Sequence, residues 1–387
     1  MHAMNNAREG IAVFGVVANR NAWFQACVVL QQLRDHQSKV PAVVFNSSTL
    51  PAEADAAIAA LGGSRLSLQP AMPLPGVFEK ALSSSHGGKP AWAKLALWAQ
   101  VAFKKIIYLD VDVVLLGNID HMRHFPADTF SPEVCSYPKC EEDKVPAGIN
   151  VGIMVIGPSR ERYEQLLDYT RQRAADLEIV AANTSLYMSY GRRWLGSAEQ
   201  SFIREFWEDR LNASITEPHP TRRGWDWTHV TYRDLGTCHR QHERWRRAER
   251  GIEPYLPSHP GVAAPPGTCV PSNVSVMSRR YNARPADCGR CPMESLRPLI
   301  VHYACTPKPW EFSRDRWLSQ TWCRGNSVLC QPCLANWTKL WYDAEDRMCA
   351  SFIGAGATEA ARAFQPCDTV LARTTPSRRG DRHSNHA

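Results

Sequence analysis

Short apolar runs alternate with amphipathic segments in the first third of the chain. Residues 11–17 and 40–45 are apolar and rich in β-branched side chains, as expected of buried strands. Residues 23–36 and 52–61 place apolar side chains at helical spacing, and a glycine pair follows the second of these segments. Strands that alternate with helices predict a parallel sheet covered by helices on both faces.

The same alternation continues further along the chain. Helical spacing predicts helices over residues 92–103 and 161–177, and apolar runs predict strands over residues 105–109 and 148–156. We therefore predict an α/β fold, with a Rossmann-like, mostly parallel sheet. Ligands of such sheets bind beyond the carboxyl ends of the strands.

The second half of the chain differs in composition. Residues 207–298 are rich in Arg, Pro, Gly and Cys and show weak periodicity, which indicates an insertion or a small appended lobe. The predicted segments are a flexible N-terminus at 1–10, the main α/β domain at 11–206, the insertion at 207–298, a return to the main domain at 299–315, an irregular Cys-rich C-terminal lobe at 316–372 and a disordered polar tail at 373–387.

Composition and charge narrow the class of protein. Of the 387 residues, 44% are hydrophobic and 21% are charged, which is typical of a globular protein. The net charge of +7 can attract phosphates or anionic glycans, but no nucleic-acid-binding module is recognisable, so no nucleic-acid partner is predicted. No apolar run approaches the roughly 18 residues of a membrane span. The oligomeric state is not predicted.

The cysteines and asparagines leave the compartment open. Ten of the 13 cysteines lie between Cys238 and Cys367, which indicates a C-terminal region stapled by disulfides, and five Asn-x-Ser/Thr sequences match the N-glycosylation pattern of secreted proteins. The N-terminus has no apolar signal segment, which argues against secretion, so the cytoplasm and the secretory pathway or Golgi both stay open. Two Cys-x-x-Cys pairs are compatible with disulfides, which we favour, or with a four-thiolate zinc site: Cys288 and Cys291, and Cys330 and Cys333.

Two aspartates follow the predicted strand at residues 105–109. In Asp110-Val111-Asp112 the carboxylates are two residues apart, so in an extended chain they project to the same side. A cation would relieve their repulsion, and carboxylate oxygens suit Mg²⁺ or Mn²⁺ shared with substrate phosphates. A strand-end cap is the simpler alternative, but the position at the end of a buried strand favours a metal site.

A histidine and a lysine offer further groups for such a site. His302 ends the apolar segment 299–301, and Lys308 follows six residues later. A lone histidine is usually structural, but a neutral imidazole can complete a two-carboxylate metal site. The ammonium of Lys308 can oppose a diphosphate as a point charge.

The chain contains four sequence blocks, at residues 93–120, 149–159, 198–202 and 302–310. Together they resemble the glycogenin-like glycosyltransferase family 8. Residues 93–98 and 107–120 resemble the segment that carries the Asp-x-Asp of the family, and residues 149–159 resemble its Asn-Ser-Gly strand followed by Pro-Ser. Residues 198–202 resemble its Asp-Gln-Gly helix start, and residues 302–310 resemble its His…Lys-Pro-Trp signature. The blocks occur in the family order, and the similarity runs from about residue 11 to residue 310, interrupted by the insertion.

The resemblance implies a role for each matched residue. The implied metal ligands are Asp110, Asp112 and His302. The implied donor-binding residues are Asn19, Asp110, Val111, Asp112, Gly152 and Lys308. The residues implied around the reacting sugar are Lys94, Asn150, Glu199 and Gln200. The chain departs from the family at Glu199, where an aspartate is expected, at Cys305 in place of a glycine, and at Ala22 in place of a tyrosine.

The resemblance also implies an activity and a fold. The expected fold is the GT-A type, and the expected enzyme is a retaining hexosyltransferase that uses a UDP-sugar donor and Mn²⁺, or Mg²⁺. The acceptor is a glycan, a protein or a small molecule that the residues do not identify. The alternative is a catalytically inactive carbohydrate-binding or scaffold protein of the same fold. A nucleotidyltransferase would need a glycine-rich phosphate loop, which the N-terminal region lacks.

Overall fold

The computed structural model describes somewhat more than half of the chain. The described residues are 11–69, 92–132, 149–181, 200, 202–203, 206–207, 213–221, 224–231, 272–277, 279–285, 298–304, 308–311, 314–315, 332–368 and 370–371. The predicted flexible N-terminus and disordered tail lie outside these residues, as do Glu199, Cys288, Cys291, Cys330 and the side chain of Cys333.

The described strands form one large sheet and one small one. Their bounds are β1 Ala12–Ala18, β2 Ala42–Asn46, β3 Ser64–Ser67, β4 Lys105–Leu109, β5 Val113–Leu115, β6 Thr129–Pro132, β7 Ile149–Ile156, β8 Ala213–Thr221, β9 Gly224–Thr231, β10 Ser272–Val276 and β11 Ile300–His302. Within the described residues the large sheet has the order β3-β2-β1-β4-β7-β6-β10-β8-β9, and β5 pairs with β11 in the small sheet.

Most neighbouring strands of the large sheet run parallel. β3, β2, β1 and β4 are parallel to one another, and β10 is parallel to both β6 and β8. β7 is antiparallel to β4 and to β6, and β9 is antiparallel to β8. The prediction of a mostly parallel α/β sheet is therefore confirmed.

Helices cover both faces of this sheet. The described helices are α1 Trp23–Asp35, α2 Ala54–Ala60, α3 Arg160–Ala181, α4 Pro332–Gly354 and α5 Thr358–Arg362, with 3₁₀ helices at Ala93–Ala99, Asp120–His124, Arg279–Tyr281, Pro309–Glu311 and Gln365–Cys367. One buried apolar cluster joins α1, α4 and α5 to one face, and a second joins α3 and the first 3₁₀ helix to the other. Among the described helices, none combines the length and the apolar character needed to cross a bilayer.

The segment before β4 is shorter and more tightly wound than expected. A helix was predicted over residues 92–103, whereas the structure has a 3₁₀ helix at Ala93–Ala99. The chain then turns, with the amide of Phe103 donating to the carbonyl of Gln100 at 3.0 Å, so that it can enter β4. The turn explains why the helix ends early.

The described part of the insertion belongs to the main sheet. β10 pairs with β6 of the main domain and with β8, and β8 pairs in turn with β9. Three strands from residues 207–298 therefore extend the sheet rather than forming a separate layer.

The described part of the C-terminal segment is largely helical, which differs from the expected irregular lobe. Buried side chains recur at helical spacing along α4, and this stripe packs in the same apolar cluster as α1: Leu334, Trp337, Trp341, Met348 and Phe352. A disulfide joins Cys349 to Cys367, so the structure contains one of the expected C-terminal staples. The helix is thus part of the main body of the protein.

Candidate metal and diphosphate site

Three strands bring the predicted metal ligands together. Asp110 and Asp112 lie between β4 and β5, and the antiparallel pairing of β5 with β11 places His302 opposite Val113. The amide of Asp110 donates to the carbonyl of Gly152 on β7 at 2.7 Å. Asp112 and His302, which are 190 positions apart in the sequence, are thereby held near each other by backbone hydrogen bonds at the carboxyl end of β4.

One atom from each predicted ligand points into the same small space. The Nε2 atom of His302 lies 3.2 Å from Oδ1 of Asp112 and 3.7 Å from Oδ2 of Asp110. All three ligand atoms lie within 4.8 Å of one another. Two carboxylate oxygens and one imidazole nitrogen are a suitable donor set for a divalent cation.

A glycine keeps this space open. A methyl group at Gly152 would lie 2.2 Å from Cε1 of His302 and 2.8 Å from Oδ2 of Asp110. Both distances are far below van der Waals contact, so only glycine allows β7 to pass beside the two ligands. This observation and the chemistry of the donor set indicate that the three residues fit a divalent cation.

The second oxygen of each carboxylate is held by a lysine. Oδ1 of Asp110 accepts hydrogen bonds from the ammonium of Lys94, at 3.1 Å, and from the hydroxyl of Tyr108. Oδ2 of Asp112 accepts one from the ammonium of Lys308, which also donates to the carbonyl of Tyr303 at 2.6 Å. Each carboxylate thus presents one oxygen toward His302, and its other oxygen is held by a lysine ammonium.

Asp112 is ionised in this environment. Burial tends to raise the pKa of its carboxyl, but His302 and Lys308, through their charges and hydrogen bonds, lower the pKa well below its ordinary value. A permanently charged carboxylate is the form that binds a metal ion.

The orientation of His302 is set by a residue that the sequence analysis did not identify. Its Nδ1 atom lies 2.9 Å from Oδ1 of Asn282, and both side chains are buried. An amide oxygen only accepts hydrogen bonds, so Nδ1 donates its proton to Asn282, and Nε2 is the ring atom that faces the carboxylates. Metal-ligating histidines commonly have such a partner. Asn282 lies in the aperiodic insertion, where no sequence pattern distinguishes it.

Asn150 and Gln200 form a second polar group next to Gly152. The amide nitrogen of Asn150 donates to the side-chain oxygen of Gln200 at 2.8 Å, and the backbone amide of Gly152 donates to the side-chain oxygen of Asn150 at 2.9 Å. β7 therefore links these two side chains to the carboxylate cluster. Glu199, the third residue predicted here, lies outside the described residues.

The remaining predicted donor-binding residues lie at strand ends. Asn19 follows β1, and its side-chain oxygen accepts hydrogen bonds from the amides of Asn21 and Ala22 at 2.8 and 2.9 Å, forming the turn into α1. The side chain of Val111 packs against the apolar core, so its backbone is the part that can contact a ligand. The structure thus gives Asn19 a clear structural role in a turn.

Comparison with known proteins identifies related enzymes. Galactinol synthase 6 of Arabidopsis thaliana is 24% identical over 246 residues, which cover 57% of this chain and 66% of that protein. Galactinol synthase 5 of the same plant is 23% identical over 246 residues, covering 57% and 67%. The chain thus spans about two thirds of the length of these relatives. No protein-family model matches the chain.

A solved structure gives a weaker similarity. The galactosyltransferase LgtC, crystallised with donor and acceptor sugar analogues, matches with a TM-score of 0.44 and 13% identity, over 86% of this chain and 96% of that chain. This similarity is too distant to support an argument. The sequence relatives are glycosyltransferases, and they confirm the expected likeness to nucleotide-diphospho-sugar transferases of the family 8 type.

Proposed function

We propose that this family 8-like glycosyltransferase moves a hexosyl or related sugar unit from a UDP-sugar to an acceptor, with retention at the anomeric carbon and with Mn²⁺ or Mg²⁺ on the diphosphate. The observation that carries the proposal is the convergence of Asp110, Asp112 and His302, with Lys308 beside them, at the carboxyl end of β4. The relatives named for galactinol synthesis support a sugar transfer reaction. Another relative, a putative UDP-glucuronate:xylan α-glucuronosyltransferase of Arabidopsis, supports a UDP-sugar donor.

Asp110, Asp112 and His302 would hold the divalent cation through Oδ2, Oδ1 and Nε2. When bound, the cation supplies positive charge that stabilises the diphosphate as it leaves the sugar. The two lysines already orient the carboxylates, so little rearrangement is needed to bind the cation. We also propose that Asn19 and the backbone of Val111 contact the nucleotide.

Lys308 would act on the leaving group. Its ammonium is fixed between the side chain of Asp112 and the carbonyl of Tyr303, and its side chain is 26% exposed, so it lies at the surface of the cluster. Transfer of the sugar leaves negative charge on the diphosphate, and a preorganised ammonium stabilises that charge most in the transition state.

Asn150, Gln200 and Lys94 would surround the reacting sugar. The hydrogen bond between Asn150 and Gln200 fixes both amides beside β7, and Lys94 donates to Asp110 at 3.1 Å. Fixed amide dipoles can stabilise a cationic sugar centre. In this scheme a leaving phosphate oxygen takes the proton of the acceptor hydroxyl on the face where the bond breaks, which gives retention. Glu199 would assist Gln200.

The test is a screen of UDP-sugars for metal-dependent hydrolysis. The protein is incubated with UDP-glucose, UDP-galactose, UDP-xylose or UDP-glucuronate, with MnCl₂ or with a chelator, and released UDP is measured. We expect one donor to be hydrolysed only with the metal. The variant Asp110→Asn should lose this activity, whereas Asp343→Asn, which changes an aspartate paired with Lys339 on the surface, should keep it.

The alternative function makes a different prediction for the same assay. A catalytically inactive carbohydrate-binding or scaffold protein would release no UDP from any donor. Equal activity of Asp110→Asn and of the unmodified protein would show that the cluster at β4 is not the site of the reaction.

A further inference from the structure

We propose that Tyr342, on the C-terminal helix α4, is a positioning residue that holds Lys308 at the diphosphate site. This inference rests on the proposed function of Lys308 and assigns a role in that site to a helix far from it in the sequence.

Lys308 opens a short 3₁₀ helix, Pro309–Glu311, that is capped at its start. The backbone amide of Lys308 donates to the side-chain carboxylate of Glu311, and the amide of Glu311 donates to the carbonyl of Lys308, both at 3.0 Å. The turn is therefore a local unit whose position determines where the ammonium of Lys308 lies.

The C-terminal helix contacts this turn directly. The hydroxyl of Tyr342 donates to the carbonyl of Pro309 at 2.7 Å, in a buried hydrogen bond. One residue away on each segment, the rings of Trp310 and Trp341 lie with centroids 5.2 Å apart. The turn is thus attached to α4 by one hydrogen bond and one aromatic contact.

The same helix also contacts the segment on the other side of Lys308. The hydroxyls of Tyr303 and Thr338 share a hydrogen bond of 2.8 Å, and both side chains are fully buried. The carbonyl of Tyr303 is the backbone group that accepts from the Lys308 ammonium. Thr338 and Tyr342 are one helical turn apart, so one face of α4 holds both supports of Lys308.

The tyrosine is itself held in place. The guanidinium of Arg314 lies 4.8 Å from the ring centroid of Tyr342 and donates to its carbonyl at 3.0 Å. Burial raises the pKa of Tyr342, so its hydroxyl keeps its proton and remains a donor. Further along α4, Arg347 forms an ion pair with Asp35 of α1 at 2.7 Å, which ties the helix to the domain that carries Asp112.

The experiment is a double-mutant cycle on the affinity for UDP, measured by calorimetry in MnCl₂. Tyr342→Phe removes the donor and keeps the ring, and we expect it to weaken UDP binding roughly fivefold, the effect of one buried hydrogen bond. Lys308→Ala should weaken binding more. In the background of Lys308→Ala, Tyr342→Phe should have no further effect, because the group that it positions is gone.

The matched control is Ser351→Ala. Ser351 is on the same helix and donates to Gln31 of α1 at 3.1 Å, away from the turn. Thermal melts of both variants measure their loss of stability, and we expect Ser351→Ala to bind UDP as the unmodified protein does.

The outcomes separate the two proposals. The first case is that the unmodified protein binds UDP and that Lys308→Ala weakens this binding, which retains the proposed function. The positioning role of Tyr342 is then overturned if Tyr342→Phe does not change UDP affinity. It is also overturned if Tyr342→Phe changes UDP affinity equally with and without Lys308. An equal loss of UDP affinity in Ser351→Ala would also overturn it, since it would show a general effect of the helix. If the unmodified protein does not bind UDP in MnCl₂, the proposed function itself fails.

Discussion

The variant Gly152→Ala offers a direct test of the candidate metal site. The added methyl would lie 2.2 Å from Cε1 of His302, which is roughly 1.3 Å closer than an optimal carbon–carbon contact of about 3.5 Å. β7 cannot retreat easily, because the carbonyl of Gly152 accepts from the amide of Asp110 and the strand is buried along its whole length. His302 must therefore move, and its hydrogen bond to Asn282 opposes that movement.

Overpacking of this kind typically costs about 1–3 kcal/mol. If His302 has to be displaced from the ligand position, the same free energy is lost from metal binding, which corresponds to a decrease in affinity of roughly 5- to 150-fold. The assay is a titration with Mn²⁺ in which free Mn²⁺ is measured by electron paramagnetic resonance. Thermal melts in the presence of chelator report the loss of stability separately.

Gly157→Ala is the matched control, because Gly157 directly follows the same strand. Its added methyl would lie 2.7 Å from Cβ of Ala127, so it is also overpacked, but against a residue outside the cluster. We expect both variants to lose stability and Gly152→Ala alone to lose Mn²⁺ affinity. Normal Mn²⁺ affinity in Gly152→Ala, or an equal loss in Gly157→Ala, would refute the assignment of the space beside Gly152 to a cation.

Three further predictions concern the cluster and the C-terminal helix. Asp112→Asn should reduce metal-dependent UDP release at least roughly 10²-fold with little loss of folded structure by circular dichroism, and full activity would contradict the ligand assignment. Cys367→Ala removes the disulfide to Cys349, which closes a loop with a sequence separation of 18. This variant should lower the free energy of unfolding in urea by about 3 kcal/mol. An unchanged urea midpoint would show that the disulfide does not stabilise the protein. Burial raises the pKa of Glu345 from 4.5 to about 7, against the lowering effect of Arg314. The folded protein therefore binds this proton more tightly than the unfolded chain, and stability should fall as pH rises from about 4.5 to about 7. In Glu345→Gln the melting temperature should fall less over this pH range than in the unmodified protein. An identical dependence of melting temperature on pH in both proteins would contradict the raised pKa of Glu345.

Sequence reasoning predicted the elements whose side chains follow a clear period. β1, β4, β7, α1 and α3 lie within a few residues of their predicted bounds, because buried parallel strands read as apolar runs and α1 has an apolar stripe. β3 was not predicted, since it is a short edge strand of sequence Ser-Arg-Leu-Ser with little apolar character. The spacing of large apolar residues along α4 is present in the sequence, but the high cysteine content of this region favours the prediction of an irregular lobe.

The sequence predicts those residues of the candidate site that follow predicted strands or lie in the blocks that resemble family 8. Asp110, Asp112, His302 and Lys308 come together as the resemblance implied, because β5 and β11 pair across a long separation. Asn282 reaches His302, and Tyr342 reaches the carbonyl of Pro309 beside Lys308, only through the tertiary fold. No local pattern marks a hydrogen-bond partner of that kind, so it becomes visible only once the chain is folded.

The pairing of each carboxylate with its own lysine has a consequence for how ligands bind. Asp110 with Lys94 and Asp112 with Lys308 form two neutral pairs. A divalent cation that enters this balanced cluster adds an uncompensated charge of +2, which a diphosphate then neutralises. Each ligand should therefore raise the affinity for the other, and thermodynamic linkage requires the two factors to be equal. Under the proposed function, the site would therefore bind the metal–nucleotide complex as one unit and would bind either component alone only weakly.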